Sequence, residues 1–171
     1  MSLCLKGSGV TISNNGKKVE FNGGTACRGR DAIERGMVVT WTVNVHANRG
    51  LFLGVVSSNC TNFETYAAKM LVDPWGIAYP ADTIFQGNNG RNKYVEGLGK
   101  PRMGPNYWDS TRPIKVKVDY KTMSSAILTF DFEGKKVKLQ LQKLKEGDSW
   151  FMCVDCSYGR GWCKITDFSV E

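Results

Sequence analysis

The chain has 171 residues, enough for one folded domain with a sizeable core, and we expect residues 1–171 to form a single domain. Its 23 Lys and Arg residues against 16 Asp and Glu residues give a net charge of +7, which favours acidic partners, nucleic acid or an anionic surface. No dense cluster of Lys and Arg appears, however, and Lys115, Lys117, Lys136 and Lys138 alternate with apolar residues as on a solvated sheet face, so we expect mainly solubility charge. No apolar run is long enough to span a bilayer, and the first residues lack a secretory signal. We therefore expect a cytoplasmic protein that does not enter a membrane.

Six cysteines raise the question of disulfides or a metal site. Cys153 and Cys156 form one CxxC pair with no second pair, and the only histidine, His46, is distant in sequence. A four-ligand zinc site normally has paired ligands at short spacings. We expect buried thiols in a reducing compartment, and no metal or other cofactor.

The first elements are indicated by short alternating patterns. Apolar residues alternate at 10–12 and 19–21 on either side of Asn14-Asn15-Gly16, which predicts a β-hairpin because Asn and Gly tolerate positive φ. Residues 25–36 carry many charges and few apolar anchors, so this stretch predicts an exposed connection.

The clearest strand pattern lies between residues 36 and 56. Residues 39–45 alternate apolar and polar around Trp41, residues 47–50 read as a turn, and residues 51–56 form an apolar run. This pattern predicts a hairpin in the middle of a sheet, with one face of its first strand in the core.

The next part of the chain is less regular. Residues 62–72 fit either a short helix capped by Asn62 or a loop with a short strand. Residues 73–112 are rich in Gly and Pro, which is typical of turns and long loops. The loop aromatics Tyr94, Tyr107 and Trp108 either line a binding surface or cover the ends of a sandwich.

Regular alternation returns after residue 113. It predicts strands near 114–118, 126–132, 137–141, 150–154 and 163–170. Glu133-Gly134 predicts a turn, and Gly159-Arg160-Gly161 a loop flanked by glycines. Roughly ten to twelve short strands with hardly any helix predict an all-β fold, an antiparallel β-sandwich.

Several motifs follow one another in a distinctive order. Gly36 precedes Trp41-x-Val43, and Leu53-Gly54-Val55, Trp75-Gly76 and Val116-x-Val118-Asp119 come later. In this order they resemble the SPRY domain, a concanavalin-like jelly roll found in tripartite-motif and SPRY/SOCS-box proteins. The resemblance covers essentially the whole chain.

The chain is most similar to the SPRY/SOCS-box branch. Thr25-x-Cys27 and Cys163-Lys164-Ile165-Thr166 are similar to that branch, whereas Arg112-Pro113 stands where the family has Gly-Asp and Trp150-Phe151 where it has Tyr-Pro. The match also lacks a PRY extension and a SOCS box.

The resemblance implies a protein-interaction module, or adaptor, that holds a peptide or partner surface with loops at one end of the sandwich. Residues 159–161 align with one wall of the peptide site in the SPRY/SOCS-box branch, and Tyr66 is the nearest match to a tyrosine that contributes there. Asn22-Gly23-Gly24 replaces the Arg-x-Pro contact of that branch, so we expect a different peptide, and the net charge of +7 favours an acidic one. The candidate partner-binding residues are Tyr66, Tyr107, Trp108, Gly159, Arg160 and Gly161.

The residues of this loop suit binding on physical grounds as well. Gly159 and Gly161 let a ligand backbone approach, and the forked guanidinium of Arg160 donates to carboxylates or carbonyls. The alternative is a tight turn with a solvated Arg.

Carbohydrate binding of the galectin type is a second hypothesis. His46-Ala47-Asn48-Arg49 loosely matches a His-Asn-Arg sugar site, and Trp75 offers a stacking surface. However, no Glu and Arg follow Trp75-Gly76 at useful spacing, and His46 and Asn48 fit a hairpin turn. A shared fold does not carry function.

Catalysis and RNA binding are two further hypotheses. A glycosidase needs two carboxylates facing one cleft, and Asp131-Phe132-Glu133 is the only tight acidic group, at a turn; we therefore expect no enzyme. RNA binding is suggested by the charge and the five Trp residues. It requires aromatics interleaved with Lys and Arg on one sheet face, whereas the strand aromatics lie on the apolar side of their alternation.

Overall fold

A computed structural model describes residues 2–47, 50–65, 74–79, 83–86, 91–92, 112–121, 126–141, 149–157 and 160–171. These residues form fourteen strands and contain no helix. The strands are β1 (Leu3–Lys6), β2 (Val10–Ser13), β3 (Lys18–Asn22), β4 (Thr25–Gly29), β5 (Val38–Ala47), β6 (Leu51–Ser57), β7 (Trp75–Tyr79), β8 (Thr83–Gln86), β9 (Arg91–Asn92), β10 (Ile114–Asp119), β11 (Ala126–Phe132), β12 (Lys135–Leu141), β13 (Trp150–Cys156) and β14 (Arg160–Val170).

The strands build two antiparallel sheets that pack as a β-sandwich. The first sheet has the order β1-β4-β13-β6-β7-β8-β9, and the second has the order β12-β11-β10-β5-β14-β3-β2. Neighbouring strands in both sheets run antiparallel. The predicted all-β sandwich is therefore confirmed.

The main core lies between the inner faces of the two sheets. Trp41 on β5, Val116 on β10 and Leu128 on β11 come from the second sheet, and Leu53 and Val154 come from the first; all five are fully buried. The side chains next to them in the second sheet, such as Lys115 and Lys117, point to solvent or are half-buried because successive strand residues face opposite sides.

Two predicted turns are present with the expected backbone. Asn14, Asn15 and Gly16 have φ values of 53°, 53° and 80°, and join β2 to β3. Glu133 and Gly134 have φ values of 52° and 96°, and join β11 to β12. In both places the left-handed conformation turns the chain back on itself within a few residues.

The predicted hairpin between residues 36 and 56 is wrong. β5 pairs with β10 and β14, whereas β6 pairs with β13 and β7, so the chain crosses from one sheet to the other between the two strands. The placement in mid-sheet is right for both strands. β5 has a polar face, but β6 is buried on both faces and its residues Phe52 and Val56 need an apolar cover. Cys60 and Phe63, which follow β6 in the chain, belong to the cluster that covers them.

The predicted exposed connection over residues 25–36 is also wrong at its beginning. Thr25, Ala26 and Cys27 belong to β4, are buried, and pair with β13. The side chains are short, so the pattern lacks the bulky residues that usually mark a core strand. Ile33 is buried as well, and its amide donates to the carbonyl oxygen of Trp150 at 2.7 Å.

The outer face of the first sheet carries a second apolar cluster, here called the outer-face cluster. Its members are Ala26, Phe52, Val56, Cys60, Phe63, Phe151 and Cys153. The guanidinium carbon of Arg28 lies 3.8 Å from the ring centre of Phe151 and 5.9 Å from that of Phe63. This face of the sandwich is therefore covered by residues 58–65 of the same chain.

Two further expectations concern segments that are only partly described. Asn62 accepts a hydrogen bond from the amide of Glu64 at 3.0 Å, and residues 62–65 are not helical; residues 66–72 lie outside the described residues. Within 73–112 the structure describes β7, β8 and β9. No helix capable of crossing a bilayer is found in the part of the chain that the structure describes.

Candidate functional site

Polar and aromatic side chains meet on the outer face of the second sheet, where β5, β14, β3 and β2 lie side by side. Trp162 on β14 pairs in register with His46 on β5 and with Glu20 on β3, and Glu20 pairs with Thr11 on β2. Paired residues on antiparallel strands point to the same face, so these four side chains form one row. Three of them come from parts of the chain more than a hundred residues from Trp162.

This row borders a groove of about 420 Å³, here called the Trp162 groove. It is lined by Gly9, Thr11, Glu20, Phe21, Asn22, His46, Arg160, Gly161 and Trp162. The lining combines the aromatic ring of Trp162 with a negatively charged and a positively charged side chain, Glu20 and Arg160. Apolar surface with a few polar groups is typical of binding sites.

Trp162 is the aromatic centre of this groove. It is half-buried, its ring stacks at 6.1 Å and 25° on that of His46, and the Nζ of Lys18 lies 5.8 Å from the ring centre. Lys18 Nζ also pairs with Glu20 Oε1 at 2.6 Å. The Trp162 side chain is thereby held between strands β5 and β3, which reduces the entropy lost when a ligand packs on it.

Arg160 stands at one end of the groove. It is exposed, pairs in register with Asn22 across β14 and β3, and forms no ion pair with any described residue. Its guanidinium is therefore available to a carboxylate or carbonyl of a ligand.

The predicted loop at residues 159–161 is partly a strand. Arg160 and Gly161 belong to β14, where Gly161 is buried and pairs with Phe21. The pairing of β14 with β3 begins at Arg160, which lies opposite Asn22, so these two residues are part of the sheet and not of a free loop. Gly159 lies outside the described residues, as do Tyr66, Tyr107 and Trp108, so their partner-binding role stays a prediction.

Sequence reasoning missed Trp162, Glu20 and Thr11 as groove residues. The expectation that strand aromatics lie on the apolar side is wrong for Trp162, which alternates with the buried Cys163 and faces outward. This alternation was readable in the sequence, because Trp162 precedes the apolar positions Cys163 and Ile165 of the same strand by odd numbers of residues. The sequence spacing does not show that Glu20 and His46 lie next to Trp162, because strand pairing brings them together.

Two features of the carbohydrate hypothesis are corrected. His46 lies in β5 and stacks on Trp162 instead of forming a turn, and Asn48 lies outside the described residues. Trp75 is buried, with 5% of its surface exposed, and meets Trp150 edge-on at 6.4 Å, so it offers no stacking surface to a sugar.

The cysteines are core residues. Five of the six are buried and Cys4 is half-buried, which confirms the expectation of buried thiols. Cys153 and Cys156 differ by an odd number of positions on β13 and point to opposite faces, into the outer-face cluster and the main core respectively. A CxxC pair on a regular strand therefore cannot close around one metal ion.

Burial keeps the core thiols protonated. Burial raises the pKa of Cys163 from 9.0 to about 12. Burial, reinforced by the neighbouring Cys163 and Asp155, raises the pKa of Cys27, and burial with Asp155 raises that of Cys153. No group of three or more His, Cys, Asp or Glu side chains within the described ranges is arranged to hold a metal ion.

Known proteins give a likeness of fold and not of sequence. No family model and no curated protein matches the sequence. The structure is similar to the TRIM65 PSpry domain, with a TM-score of 0.58, 11% identity, and coverage of 93% of this chain and 86% of that one. It is also similar to a galectin-like protein of unknown function from Bacillus subtilis, with a TM-score of 0.55, 11% identity, and coverage of 97% and 87%.

A third similar structure is the metal-free carbohydrate recognition domain of Emp46p, with a TM-score of 0.53, 12% identity, and coverage of 99% of this chain and 87% of that one. At these identities the likenesses concern the fold, and they confirm a divergent SPRY-like β-sandwich.

Proposed function

We propose that this chain is a non-enzymatic protein-interaction module that binds a peptide or a partner surface in the Trp162 groove. The observation that carries the proposal is the position of Arg160, exposed and without an ion pair among the described residues, next to the half-buried ring of Trp162. SPRY-like folds typically bind proteins or peptides, which supports the same conclusion. The proposal treats residues 1–171 as one domain.

The charges of the groove favour an acidic segment. Glu20 is the only acidic side chain among the residues that line it, and Lys18 pairs with this carboxylate at 2.6 Å. Arg160 is thus the charged group left to meet a ligand, and a carboxylate binds a guanidinium through two parallel hydrogen bonds. An apolar residue next to that carboxylate would pack on Trp162.

The lack of catalysis is part of the proposal. Sugar hydrolysis on a sandwich of this kind uses two carboxylates facing each other across the substrate, and among its lining residues the groove has only Glu20. A cytoplasmic location is also proposed, since the buried thiols of Cys27, Cys153 and Cys163 suit a reducing compartment.

A peptide library displayed on phage and selected on the immobilised chain tests the proposal. Selected peptides should contain Asp or Glu beside an apolar residue. Arg160→Glu should weaken their binding by about 10- to 100-fold, because a charge-assisted hydrogen-bonded contact contributes about 1.5–3 kcal/mol. Fluorescence polarisation with the synthetic peptide measures this loss.

The matched control is Arg30→Glu, which makes the same charge change at an exposed residue that follows β4 in the first sheet. It should leave the affinity within about twofold, as expected for a charge distant from the site. Peptides that bind Arg160→Glu as tightly as the wild type, with melting temperatures unchanged, would contradict the proposal.

Carbohydrate binding is the second candidate function, favoured by Trp162 itself. An aromatic surface ringed by Glu20, Asn22 and His46 offers both an apolar platform and hydrogen-bonding groups to a sugar. A glycan array probed with the wild type and with Trp162→Ala separates the two candidates. A glycan bound by the wild type and lost in the variant, with no peptide selected, would replace the peptide proposal.

A further inference from the structure

The outer face of the second sheet carries a row of lysines beyond the Trp162 groove. Lys136 and Lys138 lie on β12, Lys115 and Lys117 on β10, and Lys164 on β14. These five residues alternate with the buried core residues of their strands and so share the solvent side. They are called the lysine face below.

The register brings these lysines into two rows that cross the sheet. Lys138, Thr129, Lys117 and Thr40 follow one another from β12 to β5, and so do Lys136, Asp131, Lys115 and Thr42. Lys164 pairs in register with Lys18 of β3, and the Lys18 Nζ pairs with Glu20 Oε1 at 2.6 Å.

Internal ion pairs neutralise only part of this charge. Lys117 pairs with Asp119 at 3.5 Å and Lys136 with Asp131 at 3.7 Å. The exposed residues Lys115, Lys138 and Lys164 form no ion pair with any residue that the structure describes. Three cations are therefore left on one face of a chain whose net charge is +7.

The groups between the lysines can also bind phosphate. Thr40, Thr42 and Thr129 are half-buried on the same face: Thr129 lies between Lys138 and Lys117, whereas Thr40 and Thr42 end the two rows beside Lys117 and Lys115. Ser and Thr hydroxyls are common donors to phosphate oxygens in nucleic-acid complexes. The row from Lys138 to Thr40 thus alternates cations and hydroxyl donors over about 14 Å, as expected for four adjacent strands. In the other row Asp131 lies between Lys136 and Lys115, and Thr42 pairs with Asp167 of β14.

Trp162 stands at the end of this face, two residues from Lys164 on β14. It is half-buried, with the ring centre of His46 6.1 Å and the Nζ of Lys18 5.8 Å from its ring centre. An aromatic surface next to a basic track binds single-stranded nucleic acid by stacking, whereas a duplex keeps its base faces inside the helix.

We infer that the outer face of the second sheet binds single-stranded nucleic acid, with phosphates along the lysine face and a base stacked on Trp162. The inference does not rest on the proposed peptide function, since it concerns a different ligand and adds Lys115, Lys138 and Lys164 to the binding surface. Contacts to phosphates and one stacked base imply little dependence on sequence.

Fluorescence anisotropy with a fluorescein-labelled 12-nucleotide oligo(U), measured between 50 and 200 mM KCl, tests the inference. The triple variant Lys115→Gln/Lys138→Gln/Lys164→Gln should bind at least about tenfold more weakly at 50 mM KCl. The slope of log affinity against log salt should become less negative by about 2, since each phosphate contact contributes about 0.7 for single strands.

The matched control removes three cations from outside this face, in the variant Lys6→Gln/Arg30→Gln/Arg35→Gln. It should keep the wild-type slope. An unchanged affinity of the lysine-face variant, or an equal loss in the control, would overturn the inference. If the triple variant fails to melt cooperatively, Lys138→Gln alone replaces it, with an expected slope change of about 0.7.

Two further arms identify the class of polyanion. Trp162→Ala should weaken oligo(U) binding by about 5- to 150-fold, because stacking contributes about 1–3 kcal/mol per base. A 12-base-pair duplex should bind more weakly than oligo(U). Equal binding of the duplex with no effect of Trp162→Ala, or binding of a heparin fragment without oligo(U), would overturn the assignment to single-stranded nucleic acid.

Discussion

The outer faces of the two sheets have opposite surfaces, although both sheets contribute to the same main core. On the first sheet the outer face holds the outer-face cluster, with Phe63 and Cys60 packed on Phe52, Val56 and Phe151. On the second sheet the outer face holds the lysine face and the Trp162 groove, both open to solvent. Strand β13 of the first sheet is buried at every position, whereas buried residues of β10 in the second sheet alternate with exposed or half-buried ones.

This difference should make the two outer faces contribute unequally to the stability of the fold. Side chains on the covered face lose contacts with water on folding and so contribute to the free energy of unfolding. Side chains on the open face keep most of their contacts with water on folding, so they contribute little to the free energy of unfolding. The same substitution should therefore have different consequences on the two outer faces.

The largest effect is expected in the main core, at Trp41. Its side chain is fully buried in the centre of the second sheet, so Trp41→Ala should lower the free energy of unfolding by about 3–5 kcal/mol. Urea unfolding followed by circular dichroism measures the loss. Trp162→Ala is the control on the opposite face of the same sheet and should cost less than about 1 kcal/mol. Equal losses would refute the distinction between the two faces.

The next effect concerns the covered outer face. Phe151→Ala removes the ring on which Arg28 stacks at 3.8 Å and should cost about 3 kcal/mol, as a truncation in an apolar cluster. The same unfolding measurement applies. A cost as small as that of Trp162→Ala would mean that the outer-face cluster does not support the fold.

A smaller effect is expected at alkaline pH through the inner face of β14. The pKa of the Cys163 thiol is about 12 in the folded chain, against an ordinary value of 9.0. Below pH 9 the thiol is protonated in both the folded and the unfolded chain, so its contribution to the free energy of unfolding is fully present. As pH rises from 9 towards 12 the unfolded thiol ionises first, and stability is lost. Between pH 8 and pH 10 the loss is about 1.4 kcal/mol for one thiol.

Comparison with Cys163→Ala isolates this contribution, because other groups titrate in the same range. The wild type should lose about 1.4 kcal/mol more than the variant between pH 8 and pH 10. Identical pH dependence of the two proteins would show that the thiol ionises equally in both states.

The smallest effect is expected on the open face. Lys18 and Glu20 are paired at 2.6 Å, but their side chains are 35% and 53% exposed. Lys18→Gln should change the free energy of unfolding by less than about 1 kcal/mol, as is usual for surface ion pairs. A loss above about 2 kcal/mol would mean that the open face contributes to stability as the covered one does.

Much of the strand pattern was predictable because local alternation records which side of a strand meets water. Val116 and Val118 are buried between outward lysines, and the turns at Gly16 and Gly134 have the positive φ that their residues predict. β4 escaped prediction because Ala26 and Cys27 are small and carry little hydrophobic signal, yet both are fully buried. Of the predicted site, Arg160 and Gly161 line the groove.

The sequence by itself determined the all-β class, the turns and which residues of β10, β11 and β12 face the core, because these follow from interactions within a few residues. Only the tertiary structure decided which strands pair. It sent β5 and β6 into different sheets, and it joined Glu20, His46 and Trp162 into one row. Periodicity carries no information on strand partners, which depend on how the whole chain buries its apolar surface at the lowest free energy.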